Sequence, residues 1–534
     1  MPDEPVPVRR KIGLERCDAG REHTTDALAW RQNLGLRHDC ICSGKPACSR
    51  MLSEYRLQLP RQSPMSDIRY QMSCYVARAI IMIRKIQMKF TKSSIALAGL
   101  AIFVAAIAVR PQSTTAATDE STAQPTQSGI DSANRLFETG KFPEAGRLYS
   151  QIVAQNPKDY SATLQLGRIA LLSNRLDDAQ KWLEKATTLQ PENADPKIML
   201  AEAFYQRDDF QRAAASLRGV DAGSSKLIRE QYPALNVAML ESFKGQTPYE
   251  LKGNGTSTRV KFVKTDPLPI VNVRVNGGKE VTFFIDTGGS VVTLDTEFAK
   301  ELGVPQFGSV QGTFSGGQHT QVQLGRIDSL TLGDWTLKNV PTAMLPLRQL
   351  SEAFGVKQID GIIGTTLFYH FLTTMDYPRG ELVLRRKDAR SLEEFKKSPG
   401  KRVVVPIWMA SDHFMVGWGR VESLPPSLLF VDTGLEGAGI KLAESVIKQA
   451  GIKLDEGKAA EGAGGGGTLR VIPYTVHQVS LGDIKEENVR GLYDGPFPWE
   501  NMFGFHLAGM VGHDFFKPYA VTFDFQNMQI FLQR

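Results

Sequence analysis

The sequence predicts a multidomain protein in which an all-α helical-repeat module precedes an all-β region of two equivalent lobes. Three observations favour this fold class. Small and apolar residues recur every 34 positions in one stretch, a period typical of stacked helix pairs. Short alternating patterns separated by glycine turns, typical of strands, fill the second half of the chain. Within that half, an apolar run into Asp-Thr-Gly occurs twice with similar flanking segments.

Residues 1–87 differ from the rest of the chain in charge and cysteine content. They hold 15 Lys/Arg and 9 Asp/Glu, whereas the remainder carries 48 of each, so we expect no nucleic-acid surface on the main body. All the cysteines also lie here: Cys17, Cys40, Cys42, Cys48 and Cys74. Their spacing lacks the second CxxC pair typical of zinc sites, so we expect no metal. We interpret 1–87 as a disordered leader, or as sequence upstream of the true start.

Residues 88–112 have the pattern of an export segment. Two lysines precede an apolar stretch at 93–109, which ends near an Ala-Ile-Ala that is typical of a cleavage site. A chain that starts at Met88 would carry a secretory signal. A chain that starts at Met1 would hold the same stretch internally as a membrane anchor, at the short limit for a span. Both alternatives predict an exported protein, periplasmic or extracellular, either free or anchored in the membrane.

Residues 113–128 are rich in Ser, Thr, Ala, Gln and Pro and predict a flexible linker. Residues 129–222 then repeat with the 34-residue period. The repeating sets are Ala145, Ala179 and Ala213; Phe142, Leu176 and Phe210; Tyr149, Leu183 and Leu217; and Pro157 and Pro191. A small alanine lets paired helices pack closely, and proline ends the second helix of a pair. This region resembles tetratricopeptide repeats, which implies either a groove for a protein partner or a spacer; residues 223–255 are interpreted as a helical connector.

Residues 256–391 and 392–534 are predicted to be two lobes of one duplicated fold. The stretch FFIDTGGS places Asp286 directly after a buried strand, and LLFVDTGLE does the same for Asp432. A helix pattern, a glycine-rich hairpin and an apolar stretch ending in glycine follow each motif in the same order. Asp286 precedes Gly364 by 78 residues, and Asp432 precedes its counterpart glycine by 80. Two chance tripeptides would not carry matching flanks in matching order.

The paired Asp-Thr-Gly motifs with their apolar-glycine stretches resemble the aspartic proteases, and the short lobes resemble the retroviral type. The resemblance covers about 256–534 and implies a two-lobed acid-protease fold that acts on a protein or peptide substrate without a cofactor. The residues that it implies are Asp286 and Asp432 as the catalytic pair, with Thr287, Gly288, Thr433 and Gly434 supporting the two turns. Because both lobes lie in one chain, the pair does not require a dimer.

The chemistry of this class explains the paired carboxyl groups. Two carboxylates about 3 Å apart cannot both ionise, so one can activate water while the protonated one polarises the peptide carbonyl. The sequence therefore predicts an aspartic-type endopeptidase. The glycine-rich hairpins predict flaps over the substrate, with Gly316, Gly317, Gly464 and Gly465 at candidate flap positions.

Other catalytic classes find little support, and one feature leaves the activity open. No HExxH occurs, and no cysteine follows residue 87. The glycine run at 462–467 formally matches a dinucleotide fingerprint, but no helix pattern follows it. The family that this chain resembles usually has Ser, Thr or Ala after Asp-Thr-Gly. This chain has Gly289 there in lobe one, with Ser290 one place later, and Leu435 followed by Glu436 in lobe two. The alternative is therefore a non-catalytic, peptide-binding scaffold with a degenerate protease fold.

Overall fold

The computed structural model describes residues 127–221 and 225–534. The predicted leader, the export segment and nearly all of the linker lie outside these residues. Among the helices of the described ranges, none combines the length and the apolar character that crossing a bilayer requires.

The first part of the described chain is a stack of short helices. They are α1 (Gln127–Glu138), α2 (Phe142–Gln155), α3 (Tyr160–Leu172), α4 (Leu176–Leu189), α5 (Asp195–Tyr205), α6 (Phe210–Ser216), α7 (Lys226–Gln231) and α8 (Val237–Glu241). Ala145, Ala179 and Ala213 are fully buried, as the 34-residue period requires. Pro157 and Pro191 lie in the turns just after α2 and α4, where their rings prevent the helix from continuing.

The remainder of the chain is mainly β. A first strand, β1 (Glu250–Lys252), pairs with a lobe-one strand, so the predicted connector is helical only as far as Glu241 and its end completes a sheet edge. The other strands of lobe one are β2 (Ser257–Lys261), β3 (Ile270–Val275), β4 (Glu280–Ile285), β5 (Val292–Asp295), β6 (Gln306–Thr313), β7 (His319–Leu332), β8 (Trp335–Leu345), β9 (Gly361–Ile363), β10 (Phe371–Asp376) and β11 (Glu381–Arg386). Its helices are α9 (Thr296–Glu301) and α10 (Thr365–Phe368).

Lobe two repeats the same order of elements. Helix α11 (Ala389–Lys397) crosses the predicted boundary between the lobes. The strands are β12 (Val403–Ala410), β13 (Phe414–Val421), β14 (Ser427–Val431), β15 (Ile440–Leu442), β16 (Ala460–Gly464), β17 (Gly467–Leu481), β18 (Ile484–Tyr493), β19 (Leu507–Val511), β20 (Ala520–Asp524) and β21 (Gln529–Gln533). The helices are α12 (Glu444–Ala450) and α13 (His513–Phe516).

The two lobes have the same sheet topology. In lobe one the strand order is β8-β5-β9-β4-β3-β7, and in lobe two it is β18-β15-β19-β14-β13-β17. In both lobes the strand that leads into Asp-Thr-Gly runs parallel to the apolar strand that precedes the later glycine. This parallel pair places each Asp-Thr-Gly turn next to its apolar-glycine stretch.

A sheet shared by the lobes joins them at their base. Its antiparallel strands follow the order β12-β21-β20-β10-β11-β2, so both lobes contribute strands to it. At its centre, the hydroxyl groups of Thr374 and Thr522 lie 2.7 Å apart. These threonines are 148 residues apart, the interval that also separates Gly364 from Gly512. The shared sheet therefore relates the two lobes by a pseudo-twofold axis.

The helical region packs directly on the lobes. The rings of Phe142 and Trp408 are 5.4 Å apart, and the Asn174 side-chain amide donates to the Phe525 carbonyl at 2.8 Å. Phe210 of α6 belongs to the same continuous apolar core as Phe284 of β4. The third helix pair thus lies beside lobe one, close to the strand that leads into Asp286.

Candidate active site

Each Asp-Thr-Gly turn emerges from a buried apolar strand. Strand β4 ends at Ile285, and the next N–H, that of Asp286, donates to the Ile363 carbonyl at 3.1 Å. In lobe two, the Asp432 N–H donates to the Val511 carbonyl at 3.0 Å. The apolar runs that precede the motifs therefore anchor the two turns in the lobe cores.

The two turns meet across the pseudo-twofold axis through their threonines. The Thr287 N–H donates to Thr433 Oγ1 at 3.1 Å, and the Thr433 N–H donates to Thr287 Oγ1 at 2.9 Å. Thr287 Oγ1 also donates to the Val431 carbonyl at 3.1 Å. Both threonines are fully buried. These reciprocal bonds hold the turns of the two lobes together.

The glycines of the turns hold the carboxyl groups and make room for them. The Gly288 N–H donates to Asp286 Oδ1 at 2.7 Å, and the Gly434 N–H donates to Asp432 Oδ1 at 2.8 Å. A β-carbon built on Gly288 would lie 2.6 Å from Asp432 Oδ1, and one on Gly434 would lie 2.0 Å from Asp286 Oδ1. Neither glycine has a left-handed backbone. Glycine is required here because each carboxyl group packs against the turn of the other lobe.

The environments of the two carboxyl groups push their pKa values upward by different amounts. Burial raises the pKa of Asp286, while the Gly288 N–H, a hydrogen bond with Asp432 and the charge of His413 lower it in part. The pKa of Asp432 is raised well above its ordinary value by burial and by the negative charge of Asp286. Because both pKa values are raised and two carboxylates in contact do not both ionise readily, the pair shares one proton at intermediate pH.

Comparison with known protein families agrees with this geometry. Residues 271–367, which include Asp286 and Gly364, match a family model described as aspartyl protease. Residues 271–367 are an aspartyl protease domain. Residues 130–194 and 174–226 match the tetratricopeptide repeat model, so the helical region consists of such repeats. Both predicted resemblances, and the order of an α-helical region before a mainly β region, are confirmed. A search of curated proteins found no match.

A cavity of about 930 Å³ adjoins the paired carboxyl groups of this protease region. It is bounded by two hairpins, which we call flap one (residues 306–332) and flap two (460–481). Gly316 and Gly317 lie at the tip of flap one with left-handed φ values of 71°. Gly464 ends strand β16, and Gly465 begins the tip of flap two.

The tips of the two flaps contact each other across the cavity. The Gln318 side-chain amide donates to the Thr468 carbonyl at 2.9 Å. The ring of Phe314 packs closely on Gly465, because a β-carbon built on Gly465 would lie 2.3 Å from a ring carbon of Phe314. The sequence-predicted flap glycines thus lie where the hairpins meet above the site.

The positions after the two motifs are filled in different ways. The Ser290 hydroxyl donates to the Asp412 carboxylate, so it does not serve the outer oxygen of Asp286. In lobe two, Leu435 packs against Gly512, whose absent β-carbon would lie 2.9 Å from Leu435 Cβ. The leucine side chain therefore packs against the apolar-glycine stretch, and Leu435 also borders the cavity. Gly364 has the equivalent role, because a β-carbon there would lie 2.2 Å from the Ser290 carbonyl.

Sequence reasoning missed an acidic residue behind each turn. Asp412 is buried and pairs with His413 Nδ1 at 2.6 Å, and that histidine lines the cavity. Its counterpart 146 residues earlier is Asp266, the same interval that separates Asp286 from Asp432. Aligning the two lobes at this interval would have matched the two acidic residues.

Asp266 also belongs to a group that resembles a metal site. Asp266, His513 and Asp514 place potential ligand atoms within 4.8 Å of one another. The Lys517 ammonium contacts Asp266 and lies 2.7 Å from Asp514 Oδ1. The lysine therefore supplies the positive charge that balances these two carboxylates.

Proposed function

We propose that this protein is an aspartic-type endopeptidase in which Asp286 and Asp432 activate a water molecule for attack on a peptide bond. The observation that carries the proposal is the hydrogen-bonded contact of two half-buried carboxyl groups across the lobe axis, each held by the N–H of its own turn glycine. The upward pKa shifts support one ionised and one protonated carboxyl at intermediate pH.

The chemistry follows from this division of the proton. The ionised carboxyl of the pair accepts a proton from the attacking water, while its protonated partner donates a hydrogen bond to the peptide carbonyl oxygen. Acidification stops the reaction when both carboxyl groups are protonated, and alkalinity stops it when the pair loses its shared proton. We therefore expect a bell-shaped dependence of kcat/KM on pH, with the first ionisation of the pair setting the acid side and the second setting the alkaline side.

Asp286→Asn and Asp432→Asn test the proposal. Each variant should lose about 10²- to 10⁴-fold in hydrolysis of an unstructured protein such as casein, because each removes a proton-transfer group. Near-isosteric replacement should leave the circular dichroism spectrum unchanged. Wild-type activity in either single variant would refute the carboxyl pair. Absence of cleavage in the wild type across acid to neutral pH would favour the peptide-binding scaffold.

The repeats suggest protein binding, and we propose that part of this surface serves the same cleft. Tyr205, Phe210 and Met239 of the helical region line the cavity beside the lobe-one residues. Helix α8 also packs on strand β6 of flap one. The helical region would then contact bound substrate and support one flap.

We further propose that the protein acts outside the cytoplasm, either free or anchored by residues 93–109. The proposal rests on the lysines and apolar stretch of 88–112, which lie outside the described residues. N-terminal sequencing of the mature protein tests it. A first residue shortly after 108 supports a cleaved signal, and a soluble chain that begins at Met1 would contradict export.

A further inference from the structure

The two halves of the cleft differ at a pair of equivalent positions. Thr293 pairs with Ile362 in lobe one, and Lys441 pairs with Met510 in lobe two, so threonine in one lobe corresponds to lysine in the other. The turn of hairpin β17–β18 lies 149 residues after the turn of hairpin β7–β8. Asp494, which lies 149 residues after Leu345, is therefore its counterpart in lobe two. All four of these cleft residues, Thr293, Leu345, Lys441 and Asp494, line the cavity.

Lys441 and Asp494 form an ion pair within the cavity wall. Lys441 Nζ lies 2.5 Å from Asp494 Oδ1, and their side chains are only 1% and 7% exposed. Lys441 Nζ also donates to Ser315 Oγ, at the tip of flap one, at 3.0 Å. An ammonium donor and a carboxylate acceptor thus stand side by side in the lobe-two half of the cleft.

The fold itself does not require this ion pair. Removing two charges from water is costly, and apolar residues of similar size often stabilise a buried site as well or better. Lobe one has threonine and leucine at the same two positions of the same strand arrangement. The ion pair is buried, lies in the cavity wall and has no equivalent in lobe one. Contact with a ligand is the best explanation for it.

We propose that Lys441 and Asp494 are specificity-determining residues that select a neutral, hydrogen-bonding substrate side chain, above all a carboxamide, in the lobe-two half of the cleft. The ammonium would donate to the amide oxygen, and the carboxylate would accept from the amide NH₂. A charged side chain would meet a like charge in the pair. An apolar side chain would offer neither an acceptor to the ammonium nor a donor to the carboxylate.

The lobe-one half selects by contrast for an apolar side chain. Thr293 and Leu345 stand where lobe two has its charges, and Leu268 and Phe284 line the same region of the cavity. The preferred substrate would therefore be a peptide with glutamine or asparagine on one side and a large apolar residue on the other. This inference rests on the proposed peptidase function, which supplies the peptide.

The experiment profiles cleavage of a random octapeptide library by sequencing the products. In the wild type we expect one position at which Gln exceeds Leu in kcat/KM by about tenfold to a hundredfold, the range expected when buried polar groups lose their partners. A second selection, by binding of the same library to the Asp286→Asn protein, determines the preference without cleavage. Loss of cleavage in Asp286→Asn tests the peptidase function separately from the preference.

Two variants assign the preference to the pair. Lys441→Thr with Asp494→Leu copies lobe one and should change the preferred residue at that position from Gln to Leu. Asp494→Asn alone is nearly isosteric and leaves one positive charge, so Glu should become preferred over Gln. The control is Asp360→Asn, which alters an ion pair with Arg348 (3.3 Å) that does not line the cavity. It should change the rates for all peptides by one common factor.

The proposal is overturned if neither selection shows a carboxamide preference in the wild-type cleft. It is also overturned if Asp494→Asn keeps the wild-type preference for Gln. If the double variant fails to fold, the single variant still decides between these outcomes, since it changes the charge without changing the volume.

Discussion

Lobe one and lobe two share a backbone arrangement but differ in the side chains that surround their turns. In both turns the glycine N–H donates to the aspartate of the same turn, and the same glycine packs against the aspartate carboxyl group of the other lobe. Behind the turn, the Thr365 hydroxyl donates to the Thr287 carbonyl at 2.8 Å, whereas buried His513 occupies the equivalent place with neither ring nitrogen hydrogen-bonded. The comparison teaches that the lobes share the Asp-Thr-Gly turns themselves, including the threonines that bond across the axis. The side chains that differ face the cleft or lie behind the turns.

The largest expected effect comes from replacing the glycine of each Asp-Thr-Gly turn with alanine, which adds one methyl group. Gly288→Ala and Gly434→Ala would place a carbon 2.6 Å and 2.0 Å from the opposite carboxyl oxygen, so the carboxyl pair must separate. We expect each variant to lower kcat by more than about a hundredfold, with the larger effect at Gly434, because small displacements of catalytic groups can cost this much. Steady-state kinetics measures the loss.

Gly289→Ala is the matched control for these variants. It lies in the same loop, and a β-carbon there would meet its nearest atom at 3.5 Å, an ordinary contact. It should retain activity within a few-fold. Equal losses in Gly289→Ala and Gly288→Ala would show that the loop, and not the opposite carboxyl group, requires glycine.

The threonine pair tests whether the two lobes contribute equally to the junction. Thr287→Val removes a hydroxyl that accepts from the Thr433 N–H and donates to the Val431 carbonyl, while Thr433→Val removes the acceptor of the Thr287 N–H. Each should lower the free energy of unfolding by about 1–3 kcal/mol, because a buried N–H is left unpaired. We expect the larger loss for Thr287→Val. Denaturant unfolding measures both, and equal losses would indicate that the bond to Val431 contributes little.

Replacing His513, which lies behind the lobe-two turn, should have the smallest effect of these changes. The effect is on the free energy of unfolding, and it should depend on pH. Burial, aided by the charge of Lys517, lowers the pKa of His513 to about 4. The unfolded chain therefore binds a proton near pH 6.5 that the folded chain does not, so the free energy of unfolding falls as pH drops from about 6.5 to about 4. His513→Thr, the lobe-one residue, should flatten this part of the stability curve.

Thermal unfolding measured between pH 4 and pH 7 checks this expectation. His477→Thr, which removes an imidazole that is 85% exposed, controls for the loss of one histidine. If His513→Thr leaves the wild-type slope unchanged, the acid sensitivity of lobe two arises elsewhere.

Much of the architecture could be predicted because its signals are periodic or duplicated. The buried alanines follow from a 34-residue period, and Asp286 and Asp432 follow from one motif repeated at an interval of 146. The flap glycines could be located because hairpins need turn residues. The reason for Gly288 could not be predicted, since its requirement lies in the position of a carboxyl group 144 residues away in the chain.

The sequence by itself determined which elements form and that two equivalent carboxyl groups exist, because local periodicity and motif spacing are properties of the chain. Only the tertiary structure decided that each aspartate contacts the other lobe's glycine, that Lys441 faces Asp494, and that the third repeat borders the cleft. These contacts join residues that are distant in sequence. Their geometry depends on how the sheets and helices pack, which no local pattern specifies.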